Sequence, residues 1–272
     1  LLAAVLARPL QRVRWLSVPV VLVISGFVAS EAWVAMGMDT GLRWNILRDL
    51  VFYLLLPILI FEAAINIDAN GLKRNGFLIG MLAVPLLLAA TGLSAWIFIT
   101  LMGDSLGGNW AVALLAGAMI CATDPVLVSG LLRGDAQVRR IEQILEGESL
   151  VNDATTITLF VMISALLLTP DVEITAWGAA ARFVLTLLGG AAIGVVLGWL
   201  FDKIIAPAND KVLATSATLV LAFSSFWIGE HVLGFSGVVA TLTAGITVAW
   251  RERQHRAETD IAFALDTWQI LG

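Results

Sequence analysis

Eight apolar runs, near 16 to 38, 50 to 67, 76 to 102, 110 to 132, 141 to 168, 174 to 201, 212 to 229 and 232 to 250, leave this chain few ways to fold. Each approaches or exceeds the roughly 20 residues that a helix needs to cross about 30 Å of hydrocarbon. Lipid offers backbone N–H and C=O groups no partners, so runs of this length imply helices, which pair those groups internally. A membrane barrel would instead show alternating segments of about ten residues. The expected fold is therefore all-α and polytopic, with about eight full transmembrane helices. Apolar stubs at 1 to 7 and 261 to 272 read as parts of two more. With no Met at position 1 and no cleavable signal, the chain is expected to be a fragment.

Composition supports the bilayer as solvent. Hydrophobic residues make up 59% of the chain and charged residues 14%, with a mean hydropathy of +0.92, too little polar surface to wrap a water-soluble globule. Trp15, Trp44, Trp110, Trp177, Trp199 and Trp250 stand at or near run ends, where amphipathic rings favour the headgroup level.

The basic residues then fix an orientation. If every run crosses once, Arg8, Arg12, Arg14, Lys73, Arg74, Arg133, Arg139, Arg140, Lys203, Lys211, Arg251, Arg253 and Arg256 fall on one side. Only Arg43, Arg48 and Arg182 fall opposite, so the crowded side is cytoplasmic. Loops at 68 to 75, 133 to 140 and 202 to 211 should face the cytoplasm. The net charge of −5 says little about partners, because charge is sorted by topology and forms no nucleic-acid patch. No phosphate loop, zinc spacing or heptad repeat is present. The single Cys121 rules out an intrachain disulfide.

Loops are short, so one membrane domain over 1–272 is expected. The segment 174 to 204 is unusually long, and its Gly190, Gly194 and Gly198 form small-xxx-small repeats that invite close helix packing. Gly76 and Gly80 receive the same packing reading. His231 and His255 read as solvated residues near a run end and in a basic loop.

Glu62, Asp124, Glu148 and Asp153 lie within otherwise apolar runs, where a charge costs at least about 2.5 kcal/mol. Glu62 lies toward the cytoplasmic end, where solvation competes with function as its explanation. Asp124 and Asp153 are near the middles of consecutive, antiparallel runs, the depth at which transporter sites form. Pro125 removes a backbone donor and disfavours helix at Asp124, freeing carbonyls that suit a small hard cation. In the next run, Ser149 and Asp153 share one helix face and Glu148 and Asn152 the adjacent one. The first face offers a hydroxyl and a carboxylate; the second can hold local structure.

The segments Ala122-Thr123-Asp124-Pro125 and Glu146-Gly147-Glu148-Ser149-Leu150-Val151-Asn152-Asp153-Ala154-Thr155 resemble two signature helices of the monovalent cation:proton antiporter-1 family. Phe61-Glu62-Ala63-Ala64-Ile65-Asn66-Ile67-Asp68 with Leu72-Lys73-Arg74-Asn75 is similar to the helix and loop that precede them. The resemblance runs from about residue 16 to 250 and reads as roughly the N-terminal two thirds of such a protein.

The resemblance implies the first half of an inverted-repeat antiporter fold with a broken helix at Thr123–Pro125. Helices in 76–168 would form the ion-transporting core, and 1–67 and 174–272 mainly scaffold and dimerisation helices. Asp153 would bind proton and cation in turn, with Ser149, Glu62 and the Thr123 carbonyl as further ligands and Asp124 close by. Asn152 stands where electrogenic relatives carry a second aspartate, which implies electroneutral exchange. Glu148 would pair with an arginine from a second half. The implied protein exchanges Na+, or K+ or Li+, for H+ without a cofactor, as a homodimer in the plasma membrane, in the bacterial case the inner membrane. Two other classes could share these residues. An intramembrane aspartyl protease would need a Gly-x-Gly-Asp sequence that is absent, and a cation or proton channel would need no mutually exclusive binding.

Overall fold

The computed structural model describes residues 18–37, 43–103, 107–123, 136–168, 175–205 and 211–255 of the 272-residue chain. Among these the regular structure is helical throughout. Two compact units divide at Val51 and Phe52. The first contains α1, Val18–Ala35, which stops at Gly37 with φ of 71°, and the short α2, Trp44–Leu50. In α2 the exposed Arg48 pairs with its neighbour Asp49 at 2.9 Å.

The second unit carries α3, Leu56–Asn66; α4, Ala69–Met102; α5, Trp110–Cys121; α6, Ala136–Leu168; α7, Ala176–Ile205; α8, Lys211–Trp227; and α9, Gly237–His255. Helices α4, α6 and α7 contain apolar stretches long enough to cross a membrane unaided, and α5 and α9 carry shorter ones. The described helices follow the eight apolar runs in order. Prolines leave their mark inside two of them. Pro85 has no N–H for the Met81 carbonyl, and α4 widens to a π-type turn at Leu82–Leu86. A similar turn at Val51–Leu55 leads into Pro57.

The expected loop at 68 to 75 is a correction. Only Ile67 and Asp68 separate α3 from α4, and residues 69–75 are helical. Asp68 caps the helix, its carboxylate accepting from the Asn70 N–H at 3.1 Å, so the polar stretch becomes the first turns of α4. Residues 136–140 and 202–205 likewise extend helices past the apolar runs. In each case hydrophobicity marked the lipid-crossing part and not the helix end.

The ends expected to be cytoplasmic are tied together by polar contacts. Gln143 of α6 donates to Asp68 at 2.6 Å and accepts from Arg74 at 2.9 Å, while Arg140 donates to the buried Asn75 at 3.2 Å. A Cβ on Gly71 would lie 2.8 Å from Gln143 Cδ and 2.9 Å from Asp68 Oδ2, so a larger residue there would displace the side chains that make the Gln143–Asp68 bond. Arg251 of α9 pairs with Asp202 of α7 at 3.4 Å, and Lys73 lies 5.4 Å from the Trp250 ring.

Helix α9 runs through the middle of the unit. With α3 and α8 it buries Phe61, Ile65, Leu221, Ala222 and Val248. A second cluster joins Ile60 and Ala64 of α3, Ala154 of α6, Phe226 of α8 and Val238 of α9. Between α7 and α9 the glycine stripe acts as a packing surface. A Cβ on Gly190 would meet the Ser236 carbonyl at 2.5 Å, one on Gly194 would overlap the Ala240 carbonyl and Thr243 Oγ1, and one on Gly198 would meet the Ala244 carbonyl at 2.9 Å. At Gly76 and Gly80 an added Cβ meets nothing within 4 Å among the described residues, so no described helix packs against them. The threonines of α9 bond along their own helix: Thr241 to the Gly237 carbonyl at 3.0 Å, Thr243 to Val239 at 2.9 Å and Thr247 to Thr243 at 2.7 Å.

Candidate functional site

Helix α5 ends at Cys121, and Ala122 turns to extended backbone with ψ of 125°. The helical path therefore breaks one residue before Thr123, within the Ala-Thr-Asp-Pro segment. Asp124 and Pro125 lie outside the described residues.

Four of the residues singled out from the sequence meet at this break. Ser149 donates to the Thr123 backbone carbonyl at 3.0 Å. Asn152 donates to Thr123 Oγ1 at 2.8 Å and to Glu148 Oε1 at 3.0 Å. The Thr123 hydroxyl donates in turn to the Glu148 carboxylate, at 3.2 and 3.3 Å from its two oxygens. Ser149 and Asn152 are buried, Glu148 is half-buried and Thr123 is exposed. The helix end left open at the break is thus fastened to α6 by both the main chain and the side chain of Thr123.

Each contact follows from local sequence. Glu148, Ser149 and Asn152 stand within one turn and a fraction of α6, so they present a carboxylate, a hydroxyl and an amide to the same neighbour. Thr156, one turn after Asn152, was not singled out from the sequence. Its hydroxyl donates to Asn152 Oδ1 at 3.0 Å, which fixes the amide so that its nitrogen faces Thr123 and Glu148. The i,i+4 spacing was the available signal.

Asp153 follows Asn152 on α6 and is exposed, one helical turn beyond Ser149. Serine 149 directs its hydrogen at Thr123, which leaves its oxygen lone pairs as acceptors on the face that carries Asp153. Glu62 stands apart. Asn66, one turn along α3, donates to its carboxylate at 2.7 Å and to its carbonyl at 2.9 Å. Helix α3 joins the α6 cluster through Ile60 and Ala64, which lie roughly across the helix from Glu62 at about 100° per residue. The Glu62 carboxylate is thus engaged along its own helix, one turn from Asn66. Among the described residues, no basic side chain forms an ion pair with Glu148.

A hydroxyl, a main-chain carbonyl and a carboxylate side by side at a helix break form an oxygen-rich environment for a hard cation. Residues 1–271 match the family described as sodium/hydrogen exchanger, transmembrane. The chain belongs to the sodium/hydrogen exchanger family. It is 29% identical to the Na(+)/H(+) antiporter NhaS2 of Synechocystis over 95% of this chain and 45% of that protein. It is 33% identical to the Na(+)/H(+) antiporter ApNhaP of Aphanothece halophytica, over 74% of this chain and 38% of the relative. It is also 31% identical to sodium/hydrogen exchanger 7 of Arabidopsis thaliana, over 77% of this chain and 18% of the relative. The chain spans less than half the length of each of these curated relatives. Members of the sodium/hydrogen exchanger family are transporters and not enzymes, which removes the protease alternative. Membership and the apolar helices together mark a multi-pass membrane protein, consistent with a plasma-membrane location.

Proposed function

We propose that the exchanger containing this chain swaps a monovalent cation, Na+ or alternatively K+ or Li+, for H+ by competition at Asp153. The observation that supports this most is the fastening of the broken helix to α6 by Ser149 and Asn152, immediately before Asp153. It holds the Thr123 carbonyl and the Ser149 hydroxyl together one helical turn before Asp153. Proton and cation then exclude one another at that carboxylate, and transport is coupled because the empty charged site does not cross. Asp124 and Glu62 are proposed as further contributors.

Asn152 supports one-for-one, electroneutral exchange. Its amide nitrogen donates both to Thr123 and to Glu148, so this position adds no second titrating group to the pair. Glu148 is a structural residue in this reading and takes its missing counter-charge from an arginine in the rest of the protein. Helices within 76–168 form the transporting core, the flanking segments 1–67 and 174–272 serve as scaffold, and the working unit is a homodimer with alternating access.

The test is cation-driven pH change in proteoliposomes holding the full-length protein, with voltage clamped. Asp153→Asn keeps shape and removes charge, so exchange disappears while the protein stays folded and dimeric. Robust exchange by the folded variant would remove Asp153 from the mechanism. Proton movement that persists at zero cation gradient would favour a channel.

A further inference from the structure

Three threonines follow Asp153 within five residues on α6, and two of them use their hydroxyls alike. Thr155 donates to the Val151 carbonyl at 2.7 Å and Thr158 to the Ala154 carbonyl at 2.8 Å, each one turn back along the helix. That is the ordinary use of a threonine hydroxyl within an apolar helix. Thr156 departs from it. Its single hydrogen goes to the Asn152 side chain, at 3.0 Å from Oδ1, and so is not spent on the main chain. Both residues are buried, Thr156 at 7% exposure and Asn152 at 2%.

Burial makes that bond consequential. A side-chain amide keeps nearly the same shape after a half-turn about χ2, which exchanges its oxygen for its nitrogen. The nitrogen of Asn152 is engaged twice, by Thr123 Oγ1 at 2.8 Å and Glu148 Oε1 at 3.0 Å. Its oxygen has Thr156. Without that hydroxyl, a carbonyl oxygen would stay in a dry interior with no donor, a state that costs more than the hydrogen bond contributed. The amide then relaxes by tilting or turning towards another donor, and either movement draws its nitrogen away from Thr123.

Thr123 is the residue that feels this. It follows Ala122, whose ψ of 125° has already left the helix, so the turns of α5 no longer fix its orientation. Two side chains of α6 do so instead, Ser149 at its carbonyl and Asn152 at its hydroxyl. Ser149, Asn152 and Thr156 stand at i, i+3 and i+7, on one stripe of the helix. A carbonyl oxygen has two lone pairs, and Ser149 takes one of them. The other faces a cation only while the peptide is held in one orientation. We propose that Thr156 is a positioning residue for exchange: by holding the Asn152 amide it keeps the Thr123 carbonyl directed at the cation, and so sets cation affinity without touching the cation. This rests on the exchange reading, with the Thr123 carbonyl among the cation's ligands, and assigns a role to a residue outside that ligand set.

The test is cation-driven pH change in proteoliposomes holding the full-length protein at clamped voltage, using whichever of Na+, K+ and Li+ drives the wild type. The cation concentration for half-maximal exchange and the maximal rate are read separately. Thr156→Val keeps the branched shape and removes the donor. Half-saturation should rise about threefold to tenfold, the range that one neutral hydrogen bond spans, with the maximal rate changed by less than about twofold. Thr156→Ser restores the hydroxyl and should return half-saturation to the wild-type value. Thr155→Val loses only the bond to Val151 and should leave half-saturation there. Stabilisation of the purified protein by the same cation, measured as a thermal shift against choline, should weaken in Thr156→Val in step with the kinetics. Unchanged half-saturation in folded Thr156→Val overturns the proposal and leaves the exchange reading standing. So does a fall in maximal rate or folded yield alone, which marks a purely structural bond, or a folded Thr156→Ser that stays as weak as the valine variant. If Thr156→Val does not fold, Thr156→Ala removes the same donor with less bulk, and failure of both assigns the residue to stability and overturns the proposal. Wild-type protein that moves no protons along a Na+, K+ or Li+ gradient refutes the exchange reading itself.

Discussion

Replacing Asn152 by Ala removes the one side chain that touches Thr123, Glu148 and Thr156 at once. Two of its bonds are neutral, one to Thr123 across the break and one to Thr156 within α6, and neutral side-chain hydrogen bonds in membrane proteins average about 0.6 kcal/mol. The third goes to a carboxylate, where the usual worth is about 1.5 to 3 kcal/mol. The loss should therefore be about 3 kcal/mol, most of it through Glu148. Asn152 is 2% exposed, so water does not readily replace the amide. Thermal unfolding of purified full-length protein, followed by loss of the monodisperse species, should show a clearly lower transition for Asn152→Ala, with Thr156→Val losing much less. Asn152→Asp should also unfold earlier, since it sets a carboxylate oxygen where the amide nitrogen now lies 3.0 Å from Glu148, yet keep some exchange. An unchanged transition for Asn152→Ala would show that the Asn152 bonds contribute nothing to stability, the Ser149 bond to Thr123 being left in place.

Other substitutions probe the frame. Gly194→Ala places a methyl against the Ala240 carbonyl and should cost about 1 to 3 kcal/mol by forcing α7 from α9, seen as reduced folded yield, whereas Gly80→Ala should be harmless. Asp68→Ala loses the α4 cap and the Gln143 bond, a cost of about 1 to 2 kcal/mol measurable by unfolding. Glu148→Gln should lower folded yield of the full-length protein more than it alters cation preference; a stable variant with changed selectivity would contradict a structural role. Cysteines at residues 73 and 139 should resist impermeant reagents from outside intact cells, and external labelling there would invert the topology.

The helices were legible because a lipid-crossing helix must advertise itself as an apolar run. Their ends were not, as residues 69–75 show: polar residues stay helical once Asp68 supplies a cap. Around the site, the roles of sequence neighbours such as Ser149 and Asn152 could be framed from helical spacing, but their shared target, Thr123, is more than twenty residues away. The Thr158–Ser236 bond spans a still longer separation and carries no local signature. Arg182 is placed among the external charges by the alternation of spans, although the segment 174 to 204 stands out as unusually long. That reading missed the depth at which α8 turns into α9, which only packing decides.

The threonines of α9 have a consequence for biogenesis. Thr241, Thr243 and Thr247 each donate to a carbonyl one turn back, so the helix does not depend on any neighbour to satisfy its hydroxyls. A nascent α9 can leave the translocation machinery and sit in lipid with its threonine hydroxyls already satisfied, before it docks against the earlier-made α7. When it docks, Thr243 can add the Ala191 carbonyl at 3.2 Å to a bond it already holds. Central position in the finished unit therefore does not demand late assembly, and the order of synthesis can be the order of insertion.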